Sequence, residues 1–193
     1  MNYYKILNEN EKHHKMKYKT GLNKDIIKFN PKGSCEPGGL YFSREDIFAF
    51  LNYGPWIRKV TLEKDSKVYK NPGFGSVKWK TDKFILGERK KISTKVIKKL
   101  INEGANIKSN RYEVLHWASR YGYFKLVEYL IPLCKSKQAL RCALDNAIAE
   151  KKTKVIKVIL PFISERVCKS LINYYSWSEH KKLRKIIQSR LEK

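Results

Sequence analysis

Cys35, Cys134, Cys142 and Cys168 could in principle ligate a metal or attack an electrophile. They contain no CxxC pair, and no Cys-His cluster has the spacing of a zinc site, so they are expected to be reduced thiols serving mainly as packing. His116 has no second histidine or carboxylate at ligand spacing on the same helix, and a structural hydrogen bond is the expected role. Gly33, Gly38, Gly39, Gly73 and Gly75 form no phosphate-cradling GxxxxGK loop. Positive charge is abundant: 42 Lys and Arg face 18 Asp and Glu, a formal net charge of +24. Lys151, Lys152, Lys154, Lys157, Lys181, Lys182, Arg184 and Lys185 could form a stripe that contacts phosphates without reading bases. The excess is no basic tail, because residues 1–92 hold 20 basic and 10 acidic residues and residues 93–193 hold 22 and 8. Lysine dominates over arginine, whose planar fork base-reading interfaces use, so the charge can equally be a feature of composition.

The elements that must carry these side chains are legible from periodicity. LHWASRYGYFKLVEYLIP, Leu115 to Pro132, is echoed 29 residues on by LDNAIAEKKTKVIKVILP, Leu144 to Pro161. The echo keeps apolar positions and the closing proline and discards most polar identities, which marks a packing unit. Its stripe, Leu126, Val127, Leu130 and Ile131, has helical spacing. It recurs upstream as Val96, Ile97, Leu100 and Ile101, and downstream as Val155, Ile156, Ile159 and Leu160. A looser copy, Leu183, Ile186 and Ile187, follows. The prolines end each helix by removing a donor and restricting the preceding residue. A helix pair recurring at this period must stack on its neighbours to bury its apolar face.

This half resembles an ankyrin repeat. Leu100 to Ser109, LINEGANIKS, is similar to the ending of that repeat, with Gly104 as the left-handed helix C-cap. Val114-Leu115-His116-Trp117-Ala118 is similar to its opening Thr-Pro-Leu-His-x-Ala, without the Thr and Pro. The resemblance implies an inward leucine, a histidine bonded to a neighbouring turn and an alanine that lets two helices approach. Gly122 separates the two helices of this copy, whereas Ala149-Glu150-Lys151-Lys152 replaces that glycine in the next, so the later copies are degenerate.

Residues 1–92 read differently, with short β-rich runs punctuated by glycine, proline and turn residues. Strands are predicted around Tyr3 to Leu7, Gly39 to Phe42, Trp56 to Leu62 and Phe84 to Glu88. A helix is predicted from about Arg44 to Asn52, with Ser43 as N-cap, Glu45 and Asp46 in its first turn, and Ile47, Phe48, Phe50 and Leu51 as its apolar face. Gly38-Gly39-Leu40-Tyr41-Phe42, Tyr53-Gly54, Ile57-Arg58-Lys59-Val60, Asp82-Lys83 and Ile85-Leu86-Gly87 resemble the segment that precedes ankyrin repeats in many mimivirus-type giant-virus proteins. That resemblance implies an architecture and a viral context and supplies no mechanism. Gly39 to Ser43 also looks like the cofactor-holding strand of ADP-ribosyltransferases, for which only His13, His14 and Glu88 could be partners, at no supporting spacing.

The expectation is an α+β chain: a small β-rich N-terminal domain over residues 1–92, then an all-α ankyrin-like helical repeat solenoid of three to four degenerate helix pairs over 93–193. The expected function is a noncatalytic macromolecule-binding scaffold without cofactor or metal, whose partner is another protein, host or viral. Solenoids bind through hairpin tips and the concave helix face, so Ile107, Lys108, Ser109, Asn110, Arg111, Tyr112, Trp117 and Arg120 are the candidate contacts. Sequence-independent nucleic-acid binding through the lysine stripe is the alternative, and a transferase-like first half the more remote one. The N-terminus has no apolar core of signal-peptide length, and no run approaches 18 apolar residues, which predicts a soluble intracellular protein of the host-cell cytoplasm or viral factory.

Overall fold

Alternate apolar residues place short strands face to face in the first part of the chain. In the computed structural model, which describes residues 2–13, 15–32, 35–71, 76–174 and 181–192, these strands are β1 (Tyr3–Leu7), β2 (Lys12–His13), β3 (Met16–Lys17), β4 (Gly21–Lys24), β5 (Leu40–Phe42), β6 (Trp56–Thr61), β7 (Val68–Asn71), β8 (Lys78–Thr81), β9 (Lys83–Leu86) and β10 (Lys90–Lys91). They form an antiparallel sheet of order β1-β6-β9-β4 with β10 on β6, a three-stranded sheet β5-β8-β7, and a β2-β3 ribbon. β1 pairs with β6 along its whole length, Tyr3 opposite Val60 and Leu7 opposite Trp56. Leu7, Tyr18, Leu40, Phe42, Val60, Phe84 and Leu86 make a buried cluster, in which Phe42 from the small sheet meets Phe84 from the large one edge-on at 6.2 Å. Each such large side chain contributes roughly 1.5–3 kcal/mol on burial.

β1 is buried on both faces because a 3₁₀ helix, Ile47–Tyr53, lays Ile47, Phe48 and Leu51 against it. This corrects the helix expected from Arg44. Ser43 cannot cap it, since its amide and carbonyl are exchanged with those of Tyr4 at 2.9 and 2.8 Å and its hydroxyl donates to Val77 O. The turn that follows tightens to i→i+3 bonds such as Ala49 N to Asp46 O, 3.0 Å.

Two compact units divide the chain, Met1–Glu113 and Val114–Lys193. Helix α1 (Thr94–Asn102) lies in the first, started by Ser93, whose hydroxyl accepts from Val96 N, and anchored where Tyr4 Oη donates to Glu103 Oε2 at 2.8 Å. The helices that follow are α2 (Ser109–Arg120), kinked at Asn110 to Tyr112 and regular only after them, α3 (Phe124–Leu130), α4 (Lys137–Ala149), α5 (Thr153–Ile159), α6 (Glu165–Tyr174) and α7 (Lys181–Leu191). In the second unit α4 and α3 both pack on α5, and α6 packs on α7. Leu126, Val127, Leu130 and Ile131, and their counterparts Val155, Ile156, Ile159 and Leu160, are all buried.

The 29-residue echo is reproduced bond by bond. Tyr123 N donates to Ala118 O at 2.9 Å, and Lys152 N to Ala147 O at 2.8 Å. Gly122 N donates to Ser119 O and Lys151 N to Ile148 O, at 3.3 and 3.0 Å. After each stripe a 3₁₀ turn carries the proline, Ile131–Leu133 and Leu160–Phe162, closed by Cys134 N to Ile131 O and Ile163 N to Leu160 O. The chain is therefore α+β, with helix pairs in its later part and antiparallel sheets in its earlier part. No described helix is long and apolar enough to cross a membrane.

Candidate functional site

The tip formed by residues 107–112 belongs to the first unit and is tied to its 3₁₀ helix. Asn106 N donates to Glu45 O at 2.7 Å, and Asn106 Nδ2 to Asp46 Oδ1 at 3.0 Å. Asp46 Oδ2 also accepts from Val77 N at 2.7 Å, so this carboxylate joins two loops. Ser109 is buried, its hydroxyl within 3.4 Å of Asp46 O and 3.3 Å of Ser76 Oγ. Asn110, Arg111 and Tyr112 follow with φ of 46°, 57° and 66°, three consecutive left-handed residues, none of them glycine. Such residues cost roughly 1–3 kcal/mol each and persist only where surroundings hold them. Here Glu113 does part of that, accepting from Asn52 Nδ2 at 2.8 Å and Asn110 Nδ2 at 3.3 Å. Lys108, Asn110 and Arg111 are exposed, and Ile107 and Tyr112 half-buried. An open polar depression of about 510 Å³ lies against Asp46, Ser76, Asn106, Lys108 and Arg111.

Trp117 and Arg120 lie in the second unit, and neither is a simple surface group. Trp117 is 5% exposed, stacked on Tyr123 at 5.0 Å and tilted against Tyr121 at 5.3 Å. The ring available to solvent is Tyr121, at 56%. Arg120 Nε and Nη2 reach Asn146 Oδ1 at 3.4 and 3.3 Å, tying α2 to α4. His116 is half-buried.

The basic residues of the stripe are also in the second unit. Lys151, Lys154, Lys157, Lys181, Lys182, Arg184 and Lys185 are exposed and Lys152 is half-buried. Lys152 lies over Gly122, where an added Cβ would sit 3.2 Å from its Cδ, and Lys154 Nζ is 5.3 Å from the centroid of the Phe124 ring. Lys151 and Lys182, 31 residues apart in sequence, line one groove of about 150 Å³ with Ile148, Ile156, Leu183 and Ile186. The structure thus unites the two basic clusters at one point and leaves the other cations spread over α5 and α7.

In the first unit, two lysines are interior. Lys80 is fully buried, with Nζ donating to Glu36 O at 2.9 Å and Pro37 O at 3.3 Å; burial holds its ammonium below the usual value. Lys5 Nζ donates to Tyr41 O at 2.7 Å and lies over Tyr18, and burial brings its pKa down to about 7. Arg58 is a third interior cation, held by Glu11 through two bonds of 2.7 and 2.9 Å. The bond to Arg58 is the main cause holding the Glu11 carboxyl below its usual range.

Two of these cations, Lys5 and Lys80, meet the strand that looks like a transferase element. Lys78 and Lys80 lie over the Tyr41 ring at 5.3 and 5.2 Å, and the Tyr41 hydroxyl donates to Glu36 O; burial, then Cys35 and Glu36, push its pKa up to about 12. His13 is exposed on β2 opposite Met16, and Glu88 is exposed after β9. His14, Gly33, Gly73 and Gly75 lie outside the described residues. None of the four cysteines is in a disulfide; Cys168 is buried, Cys134 and Cys142 are half-buried, and Cys35 is exposed with Lys78 Nζ 2.5 Å from its sulfur. Among the described residues no group of three His, Cys, Asp or Glu could share a metal ion.

No protein-family model matches the chain, and no solved structure matches it. Three proteins of Acanthamoeba polyphaga mimivirus that carry ankyrin-repeat names are similar to it. One is 41% identical over 125 residues, covering 58% of this chain and 38% of that protein. A second is 33% identical over 139 residues, 67% of this chain and 66% of that protein. A third is 28% identical over 148 residues, 72% of this chain and 24% of that protein. The chain therefore spans between about a quarter and two thirds of the length of these relatives.

Proposed function

Because the chain belongs to the ankyrin-repeat proteins of the mimivirus type, we propose that it is a noncatalytic scaffold that binds another protein, host or viral, within the infected cell's cytoplasm or viral factory. The observation that carries this reading is the recurrence of one hydrogen-bonded helix pair at a 29-residue offset despite replaced polar residues. Conserving a backbone unit while varying its surface is what a stacked repeat requires when binding, not chemistry, resides on its edges. Residues 93–193 then act as a short ankyrin-like solenoid and residues 1–92 as a head.

Within the first unit, Lys108, Asn110 and Arg111 are the contact residues, with Ile107 and Tyr112 behind them and Ser109 anchoring the tip. Within the second, Arg120 contributes its polar edge and Trp117 supports its neighbours from the interior. Capture from infected-cell lysate, with and without nuclease, tests the reading. A partner that survives nuclease and is lost with Lys108→Glu plus Arg111→Glu supports it. A catch that disappears with nuclease moves nucleic-acid binding to first place, a second reading favoured by the exposed basic residues of α5 and α7.

A further inference from the structure

We propose that the groove between the α4–α5 loop and α7 receives one bulky apolar side chain from an acidic segment of the partner protein. This rests on the protein-binding reading above and names the chemistry of the partner. Ile148 and Ile156 form a buried floor, 6% and 3% exposed, and Leu183 and Ile186 of α7 the half-buried opposite wall. The groove volume, about 150 Å³, is that of a cavity able to take a benzene ring. A phenylalanine or leucine side chain fills such a space; an acyl chain of membrane length does not.

The rim selects the residues beside that anchor. Lys151 and Lys182, both exposed, stand at the groove, with Lys181 next along α7. Lys151 is fixed at its root, because its amide donates to Ile148 O and its carbonyl accepts from Thr153 N, both at 3.0 Å. A cation held in this way loses less freedom on pairing than one on a mobile loop. An apolar floor beside two exposed lysines suits an aromatic or aliphatic residue flanked by carboxylates, which gain electrostatic complementarity at the rim. A polyanion would satisfy the lysines and leave the apolar floor uncovered.

The test uses the full chain with ¹³C-labelled isoleucine and leucine methyls, titrated with the probe peptide acetyl-Glu-Asp-Phe-Asp-Glu-amide. Saturable shifts of Ile148, Ile156, Leu183 and Ile186, with Ile6 and Ile131 unmoved, are expected. Replacing the probe's Phe by Ala, or using Lys151→Gln plus Lys182→Gln, should each weaken binding by about tenfold or more. Both lysines are exposed, so the double variant keeps the methyl shifts of Ile6 and Ile131, which report the intact fold away from the groove. Absence of shifts at millimolar probe, equal affinity for the Ala probe, or full displacement by oligo-dT overturns the proposal. If the probe fails while a nuclease-resistant partner is still captured, the groove assignment falls and the scaffold reading stands. If the probe binds as described while the captured material is nuclease-sensitive, the groove stands and the scaffold reading falls.

Discussion

Lys151 holds the backbone conformation of Gly122: φ is 52° in one and 79° in the other, and each amide donates to the carbonyl three residues before it. The glycine that separates the two helices of one pair is thus replaced in the next by a residue with a Cβ, while the turn is kept. A non-glycine residue in this region costs roughly 1–2 kcal/mol, against roughly 0.5–1 kcal/mol of extra chain entropy lost by glycine. Lys151→Gly is therefore expected to stabilise the protein, by up to about 1 kcal/mol. A higher urea midpoint at unchanged slope is the expected result; a lower midpoint shows that the Lys151 side chain packs more than it strains.

Leu130 is 2% exposed within the stripe of α3. Leu130→Ala should cost about 2–5 kcal/mol, the range for a truncated core leucine. Urea denaturation decides it, since a change under about 0.5 kcal/mol is what a surface position gives.

Lys5 supplies a pH signature. Its folded pKa, about 7, lies below the ordinary 10.5, so between these values the unfolded chain binds more protons than the native one. The penalty for burying the charged amine is full below about pH 7 and is relieved progressively from there to 10.5, so this group makes stability increase with pH over that window. Lys80, also lowered, adds in the same direction. Cys134 and Cys168, whose thiols burial raises above 9, and Tyr4, raised to about 12, act oppositely at the alkaline end. Denaturation midpoints of the wild type and Lys5→Met between pH 6 and 9 isolate the lysine: the variant should show a shallower rise. Parallel curves would mean that Lys5 is charged in the fold.

The net charge of +24 can be tested as a feature of composition against a dedicated site, and the first of these fixes the following outcome. Any affinity for DNA or RNA should be independent of sequence and fall steeply between about 50 and 200 mM salt, as counterion release requires. Replacing Lys151, Lys152, Lys154 and Lys157 with glutamine should then weaken it no more than replacing Lys12, Lys15, Lys17 and Lys28. Fluorescence anisotropy at physiological salt makes the comparison. Tight binding that depends on the first four would make nucleic acid the principal ligand.

The helical stripes were readable without coordinates because burial on one face imposes a period on the chain. Val155, Ile156, Ile159 and Leu160 are buried where their spacing placed them. β1 was readable at its full length, Tyr3–Leu7, because pairs of apolar or aromatic residues flank its single lysine, Lys5, on both sides. β8, KWKT, was not, because Lys78 and Lys80 leave Trp79 as its one large apolar residue; the burial of Lys80 depends on the carbonyls of Glu36 and Pro37, more than forty residues away. Trp117 reads as a contact residue for the same kind of reason, its ring being covered by Tyr123 across the turn at Gly122.

By itself the sequence determined the α+β division and the 29-residue helix-pair unit, since these follow from local periodicity and turn chemistry, and the motifs at Leu100 to Ser109 and Val114 to Ala118 carried its resemblance to ankyrin repeats. Only the tertiary structure decided that Ser43 pairs with Tyr4 and does not cap a helix, that residue 109 is anchored to Asp46, and that Lys151 and Lys182 share one apolar groove. Each of these joins residues distant in the chain. Which distant groups meet is set by how sheets and helices pack, and no local pattern of charge or hydropathy carries that information.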